Sequence, residues 1–151
     1  MGPSDGPAGF EPAAVDLRDY VDFQESGPLS RRVFATDVVA VDLVGFEPQQ
    51  VIAAQVLRTA DVIYTVVGGR AWVVTDDAEV TLEPLQSVLI PAGVAHGVRN
   101  DAPDPLILQV VVSPPEDLPT PLTGPVEAPA ADAGDAPTRS LLHRVRRALG
   151  G

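Results

Sequence analysis

Cysteine and lysine are both absent from the 151 residues, and aromatic side chains make up only 5%. Without cysteine there is no disulfide framework, no thiolate metal site and no cysteine nucleophile. All ten basic residues are arginine, set against 21 acidic ones, for a net charge of −11. A surface of that sign repels a phosphate polyanion, which excludes general binding to DNA or RNA. No apolar run reaches the ~18 residues of a membrane span. No charged-then-apolar leader opens the chain, so a cytoplasmic location is the expectation. The length suits one domain with a core of its own.

The charge that is present is unevenly spread. Residues 139–151 hold Arg139, Arg144, Arg146 and Arg147 and no acid, so every acidic side chain lies upstream. Residues 116–138 are dense in Pro, Ala, Asp and Gly without apolar periodicity. Such composition buries too little apolar surface to offset its ordering entropy, which predicts a disordered Pro/Ala-rich linker. Residues 1–14 have the same character and predict a flexible N-terminus. Leu141, Leu142, Val145, Ala148 and Leu149 share one helical face, with arginines and His143 on the remainder. That spacing predicts a short basic amphipathic helix over 139–151, suited to an anionic membrane surface or an acidic partner. The alternative is that it frays or docks back on the acidic domain.

Residues 15–115 are then the folded unit. Its apolar segments are short and rich in Val, Ile, Leu and Thr: 33–44, 51–57, 61–67, 70–75, 79–82, 87–90, 94–99 and 106–112. Turn signals recur between them at strand-like spacing, which predicts an all-β sandwich or barrel. Gly68-Gly69 reads as a tight hairpin and Asp76-Asp77 as a weaker one. Segments 61–67 and 106–112 are apolar on nearly every residue, so both of their faces need cover. Two packed sheets with an oligomer contact outside would supply it.

The run Pro91-Ala92-Gly93-Val94-Ala95-His96-Gly97-Val98-Arg99-Asn100 spells P-x-G-x2-H-x3-N. It resembles the second motif of the cupin superfamily. The first motif, G-x5-H-x-H-x3-E-x6-G, is recognisable only at its close, as Asp61, six residues and Gly68. Counting back, its two histidine positions fall on Gln55 and Leu57, and its opening glycine on Gln49. The glycine expected six residues before Pro91 is Leu85. The resemblance implies an all-β cupin-like jelly-roll β-barrel (a double-stranded β-helix), which for a chain of this size often pairs as a homodimer.

Family cupins commonly hold a divalent ion with His, His, Glu and His projecting into the barrel. Here those places carry Gln55, Leu57, Asp61 and His96. An amide oxygen is a weak donor, leucine is none, and aspartate is one methylene shorter than glutamate. The resemblance therefore implies a small-molecule-binding or sensory protein that has lost its metal, with no cofactor. Its ligand would meet Gln55, Asp61, Thr65, Trp72 and His96 in the barrel cavity. The alternative is a metal-dependent enzyme of dioxygenase, isomerase or epimerase type, holding Fe, Mn or Zn on Gln55, Asp61 and His96. Catalysis, if there is any, falls to His96. A metal-free epimerase pairing His96 with Asp61 is a further reading of the same resemblance. If Asp61 faces inward, alternation turns Ile63, Thr65 and Val67 inward and Tyr64 outward, and Gln55 carries Val51 and Ala53 inward with it.

Overall fold

The computed structural model describes residues 11–115, together with Gly9. The linker predicted over 116–138 and the helix predicted over 139–151 lie outside the described residues. After a 3-10 turn at Leu17–Tyr20 come nine strands: β1 Leu29–Ala35, β2 Ala40–Phe46, β3 Val51–Gln55, β4 Asp61–Gly68, β5 Ala71–Thr75, β6 Glu79–Leu82, β7 Ser87–Ile90, β8 His96–Arg99 and β9 Leu106–Ser113. The described residues contain no α-helix.

The strands form two antiparallel sheets, one ordered β1-β2-β9-β4-β7 and the other β3-β8-β5-β6. This corrects the expected closed barrel. Hydrogen bonding stops at β1 and β7 in the larger sheet and at β3 and β6 in the smaller, so the fold is a double-stranded β-helix with open sides. The two edges that flank one open side, β6 and β7, are only four residues each.

Turn chemistry explains where the sequence reading of the strands went astray. The single segment 33–44 is two strands, because Thr36 folds the chain back between them. Its hydroxyl accepts from the Val38 and Val39 amides at 3.2 Å each, while its own N–H donates to the Val39 carbonyl at 2.8 Å. The apolar Val38-Val39 pair hid that turn. Gly68-Gly69 is not a hairpin, since β4 and β5 belong to different sheets. Gly69 has φ +86°, and a Cβ there would stand 2.3 Å from the Pro105 carbonyl oxygen. Glycine lets the chain cross between sheets while pressed against that backbone. The true hairpin is the weaker signal, Asp76-Asp77, where β5 and β6 pair through Val74 and Glu79.

Two further turns are built alike. Glu47-Pro48-Gln49-Gln50 and Glu83-Pro84-Leu85-Gln86 each have proline second and a positive φ third, 71° at Gln49 and 70° at Leu85. These are the two places where the family pattern has glycine. In both, the glutamine side chain accepts from the glutamate backbone N–H at 2.8 Å. That bond and the preset proline φ hold a type II turn at a position ordinarily given to glycine.

Alternation then fills the space between the sheets. Along β9, Leu106, Leu108, Val110 and Val112 are buried while Ile107, Gln109 and Val111 are only partly so. Facing them from the smaller sheet are Ile52, Ala71, Val73, Leu82 and Val98, in one continuous apolar core. Burial of such side chains contributes about 1.5–3 kcal/mol each relative to exposure.

Candidate functional site

Within this core lies a small polar group, carried by both sheets. His96 opens β8 and is paired in register with Gln55 on β3 and Thr75 on β5. The turn Pro91-Ala92-Gly93 delivers it: Val94 N–H donates to the Pro91 carbonyl at 3.2 Å, and Gly93 N–H to the Leu57 carbonyl at 2.8 Å. His96 is 0% exposed and Gln55 4%. From the larger sheet Tyr64, also 0% exposed, reaches across with its hydroxyl 2.6 Å from His96 Nε2. The rings meet edge-on, centroids 5.4 Å apart and planes at 62°.

The proton positions follow from the partners. His96 Nδ1 lies 3.1 Å from the Val94 carbonyl oxygen, which only accepts. Nδ1 therefore carries the proton, and Nε2 accepts from the Tyr64 hydroxyl. Burial disfavours both charged forms. It holds the imidazole below its ordinary pKa, against the opposing pull of the Val94 carbonyl. It pushes the Tyr64 phenol upward, and the Gln55 side chain beside it tempers that rise. Gln55 Nε2 itself makes no hydrogen bond. The pair is thus neutral and closed on itself.

Asp61 does not join this group. Val62, Tyr64 and Val66 are the buried residues of β4, while Asp61, Ile63 and Val67 are exposed and Thr65 partly so. The phase of β4 is opposite to the one expected, and one residue of register moves every side chain to the other face. Asp61 instead accepts from the Ala92 N–H at 2.9 Å, pinning the turn that precedes His96. Thr65 lies on the outer face, 2.8 Å from the Ser87 hydroxyl. Trp72 is on the outer face of the smaller sheet, where with Val56 it covers Ala54, Val74 and Ala95. Of the five expected contact residues, only Gln55 and His96 come together.

β3 also departs from simple alternation. An irregularity between Ile52 and Gln55 lets residues three apart pair with Val98 and His96, two apart on β8. Such a bulge brings Ile52 inward together with Gln55 in place of Val51 and Ala53. The residue missed altogether was Tyr64. The signal was there: charged Asp61 and polar Thr65 share one face of β4, and apolar Val62 and Val66 flank Tyr64 on the other.

These residues do not fit a metal ion. Leu57 is buried among aliphatic side chains, Val62 takes the inward place beside Asp61, and His96 Nε2 is already engaged by Tyr64. Among the described residues no three His, Cys, Asp or Glu side chains gather to hold an ion. The His96–Asp61 pairing needed for a metal-free epimerase is not formed either, since Asp61 bonds the Ala92 backbone.

Open space lies elsewhere. A cavity of about 360 Å³ opens where β6 and β7 face each other without pairing, lined by Val73, Leu82, Val88, Ile90 and Val94 with Val80 at its rim. Thr75, inward with Val73, is its polar side chain, and Glu79 and Ser87 border it from the outward positions of β6 and β7. Thr75, the register partner of His96, links the cavity to the polar group. No described helix is long and apolar enough to cross a membrane.

Comparison with known proteins agrees with this architecture. Residues 42–113 match the sequence model of the cupin domain. No curated protein matches the chain. Among solved structures, TT1209 from Thermus thermophilus is 29% identical with a TM-score of 0.65, covering 67% of this chain and 96% of its own. A conserved protein with a double-stranded β-helix domain from Klebsiella pneumoniae is 26% identical with a TM-score of 0.64, over 69% of this chain and 91% of its own. BH2720 from Bacillus halodurans is 25% identical with a TM-score of 0.61, over 72% and 85% respectively. With its second motif delivering His96 between two facing sheets, residues 42–113 of this chain form a domain of the cupin superfamily.

Proposed function

We propose that this protein is a small-molecule-binding cupin without metal chemistry, its ligand seated in the cavity between β6 and β7. The observation that carries this reading is the contrast between two regions of one interior. At His96 the imidazole and the Tyr64 hydroxyl are buried and bonded to each other, whereas between the unpaired edges there is a cavity of about 360 Å³ with an apolar lining. That volume and composition suit a small, largely apolar ligand oriented by a few polar groups. Thr75 would supply the inward contact, with Glu79 and Ser87 at the border of the cavity. His96 and Gln55 would act behind Thr75 as a rigid floor.

The test is a metabolite screen read by thermal shift and native mass spectrometry, with Val80→Trp as the blocking variant. Val80 is 41% exposed at the rim, so the larger side chain has room to fold. A ligand that raises the melting temperature of the wild type and not of Val80→Trp supports the reading. A ligand that binds both equally, or no stabilising ligand of any class, sinks it.

A further inference from the structure

The opening between β6 and β7 has a chemistry that another part of this chain complements. Residues 71–98 build both of its edges, and they carry Asp76, Asp77, Glu79 and Glu83 with no arginine. Asp77, Glu79 and Glu83 are exposed. Among these charges the surface is apolar. Val80 on β6 is 41% exposed and Leu89 on β7 55%, and Val88, Ile90 and Val94 line the space within. The far edge of the larger sheet differs in sign, since β1 carries Arg31 and Arg32.

We propose that residues 139–151 of the same chain dock in this opening, apolar side inward, as an internal occupant of the cavity. Three observations select that occupant. The first is charge. Arg139, Arg144, Arg146 and Arg147 stand in a segment without an acid, and the opening gathers four acids without a base. Opposite charges of that density steer the two together. The second is apolar pattern. Leu141, Leu142, Val145, Ala148 and Leu149 recur at helical spacing. A helix of three turns is marginal alone, so its apolar stripe needs a surface to cover, and a groove lined by aliphatic side chains is one.

The third is reach. β9 ends at Ser113, which pairs with Asp61, and the next residue of β4, Val62, pairs with Ile90 at the wall of the cavity. The chain thus leaves the domain roughly two strand spacings, or about 10 Å, from the opening. A flexible chain as long as residues 116–138 spans about 25 Å, more than that distance. Such a tether presents the segment at about millimolar effective concentration, so a contact too weak to hold a free peptide is populated within one chain. A small molecule entering the cavity must then displace the segment.

The experiment is paramagnetic relaxation enhancement in the full chain. Since the chain has no cysteine, Ser140→Cys supplies the one thiol for a nitroxide label. The amide signals of Val80, Val88 and Ile90 should be lost with the label oxidised and return on its reduction, while those of Phe34, Ile63 and Val111 stay. Leu142→Asp should restore the lost signals, and so should Arg144→Glu, Arg146→Glu and Arg147→Glu made together. Val80→Trp should restore them too, by filling the opening. Labelled chain mixed with unlabelled, isotope-enriched chain should broaden nothing, because the contact lies within one molecule. Signals lost on the outer face of the larger sheet instead, loss in the mixture, or loss indifferent to every variant overturns the proposal. So does a label that broadens no residue of the domain, and binding to phosphatidylglycerol vesicles would then assign the segment to an anionic membrane. Docking is read with no small molecule present, so its failure leaves the ligand reading of the cavity standing, and an empty metabolite screen leaves the docking standing.

Discussion

Tyr64 on β4 donates its hydroxyl proton to Nε2 of His96 on β8, across 2.6 Å of buried interior between the two sheets. Family cupins place a metal ion against the histidine of the second motif, and here a phenol stands against that nitrogen. The consequence is mechanical as well as chemical. Each partner satisfies the other, so neither is left to bind an ion or to take a proton from a substrate.

Removing the hydroxyl should therefore destabilise the fold. Tyr64→Phe leaves His96 Nε2 without a donor at a site that water does not reach. The expected loss is about 1–3 kcal/mol, read by urea unfolding. His96→Leu together with Tyr64→Phe should recover part of it, since the double change removes both polar partners. A Tyr64→Phe protein as stable as wild type would show that the pair does not hold the sheets together.

The same pair predicts a pH dependence. Burial holds the folded His96 pKa below its ordinary value, so below neutrality the unfolded chain takes up a proton that the folded chain refuses. Stability from this group is complete above the unfolded pKa of about 6.5 and falls as pH drops, by up to about 1.4 kcal/mol per pH unit, until the folded pKa is reached. The difference in unfolding free energy between wild type and His96→Gln should narrow over that window. A constant difference from pH 7 to pH 5 contradicts it, because no proton would then be linked to folding at His96.

The turn at Leu85 makes a separate prediction. Its φ of 70° strains a residue bearing a Cβ, and the leucine is 85% exposed, so it has little packing to lose. Leu85→Gly relieves about 1–2 kcal/mol of strain and gives back about 0.4–1 kcal/mol as unfolded-state entropy. The melting temperature should rise by about 2–6 °C. Conversely, Gln86→Ala removes the bond to the Glu83 N–H and should lower stability by about 1 kcal/mol.

Asp42 supplies the fourth prediction. Its carboxylate sits on the inward side of β2, with a side chain 2% exposed, and accepts from Arg32 Nε at 2.7 Å. Arg32→Met strands that carboxylate, and the loss should be about 3 kcal/mol in chemical denaturation. Arg32→Met with Asp42→Val removes both charges and should restore most of it. If the double variant is as unstable as the single one, the damage comes from packing rather than from an unpaired charge.

The sequence by itself determined the β class, the turn before His96, the motif that places that histidine inside, and the two turns where glycine is replaced. These are local properties. Proline fixes φ, alternation fixes faces, and a motif fixes short spacing. What only the tertiary structure decided were relations between segments distant in the chain. Gly68-Gly69 is a crossing between sheets because the Pro105 backbone lies against it, and no local pattern reports which strand a turn leads to. The bulge in β3 brings Gln55 inward beside Ile52, and the phase of β4 puts Tyr64 inside and Asp61 outside. Aligning Asp61 with a metal ligand reversed that phase, although the polar Asp61 and Thr65 face already opposed it. The open sides also belong to tertiary structure. Whether β6 pairs with β7 depends on how two twisted sheets lie over each other, and the space left there is the cavity on which the proposed function rests.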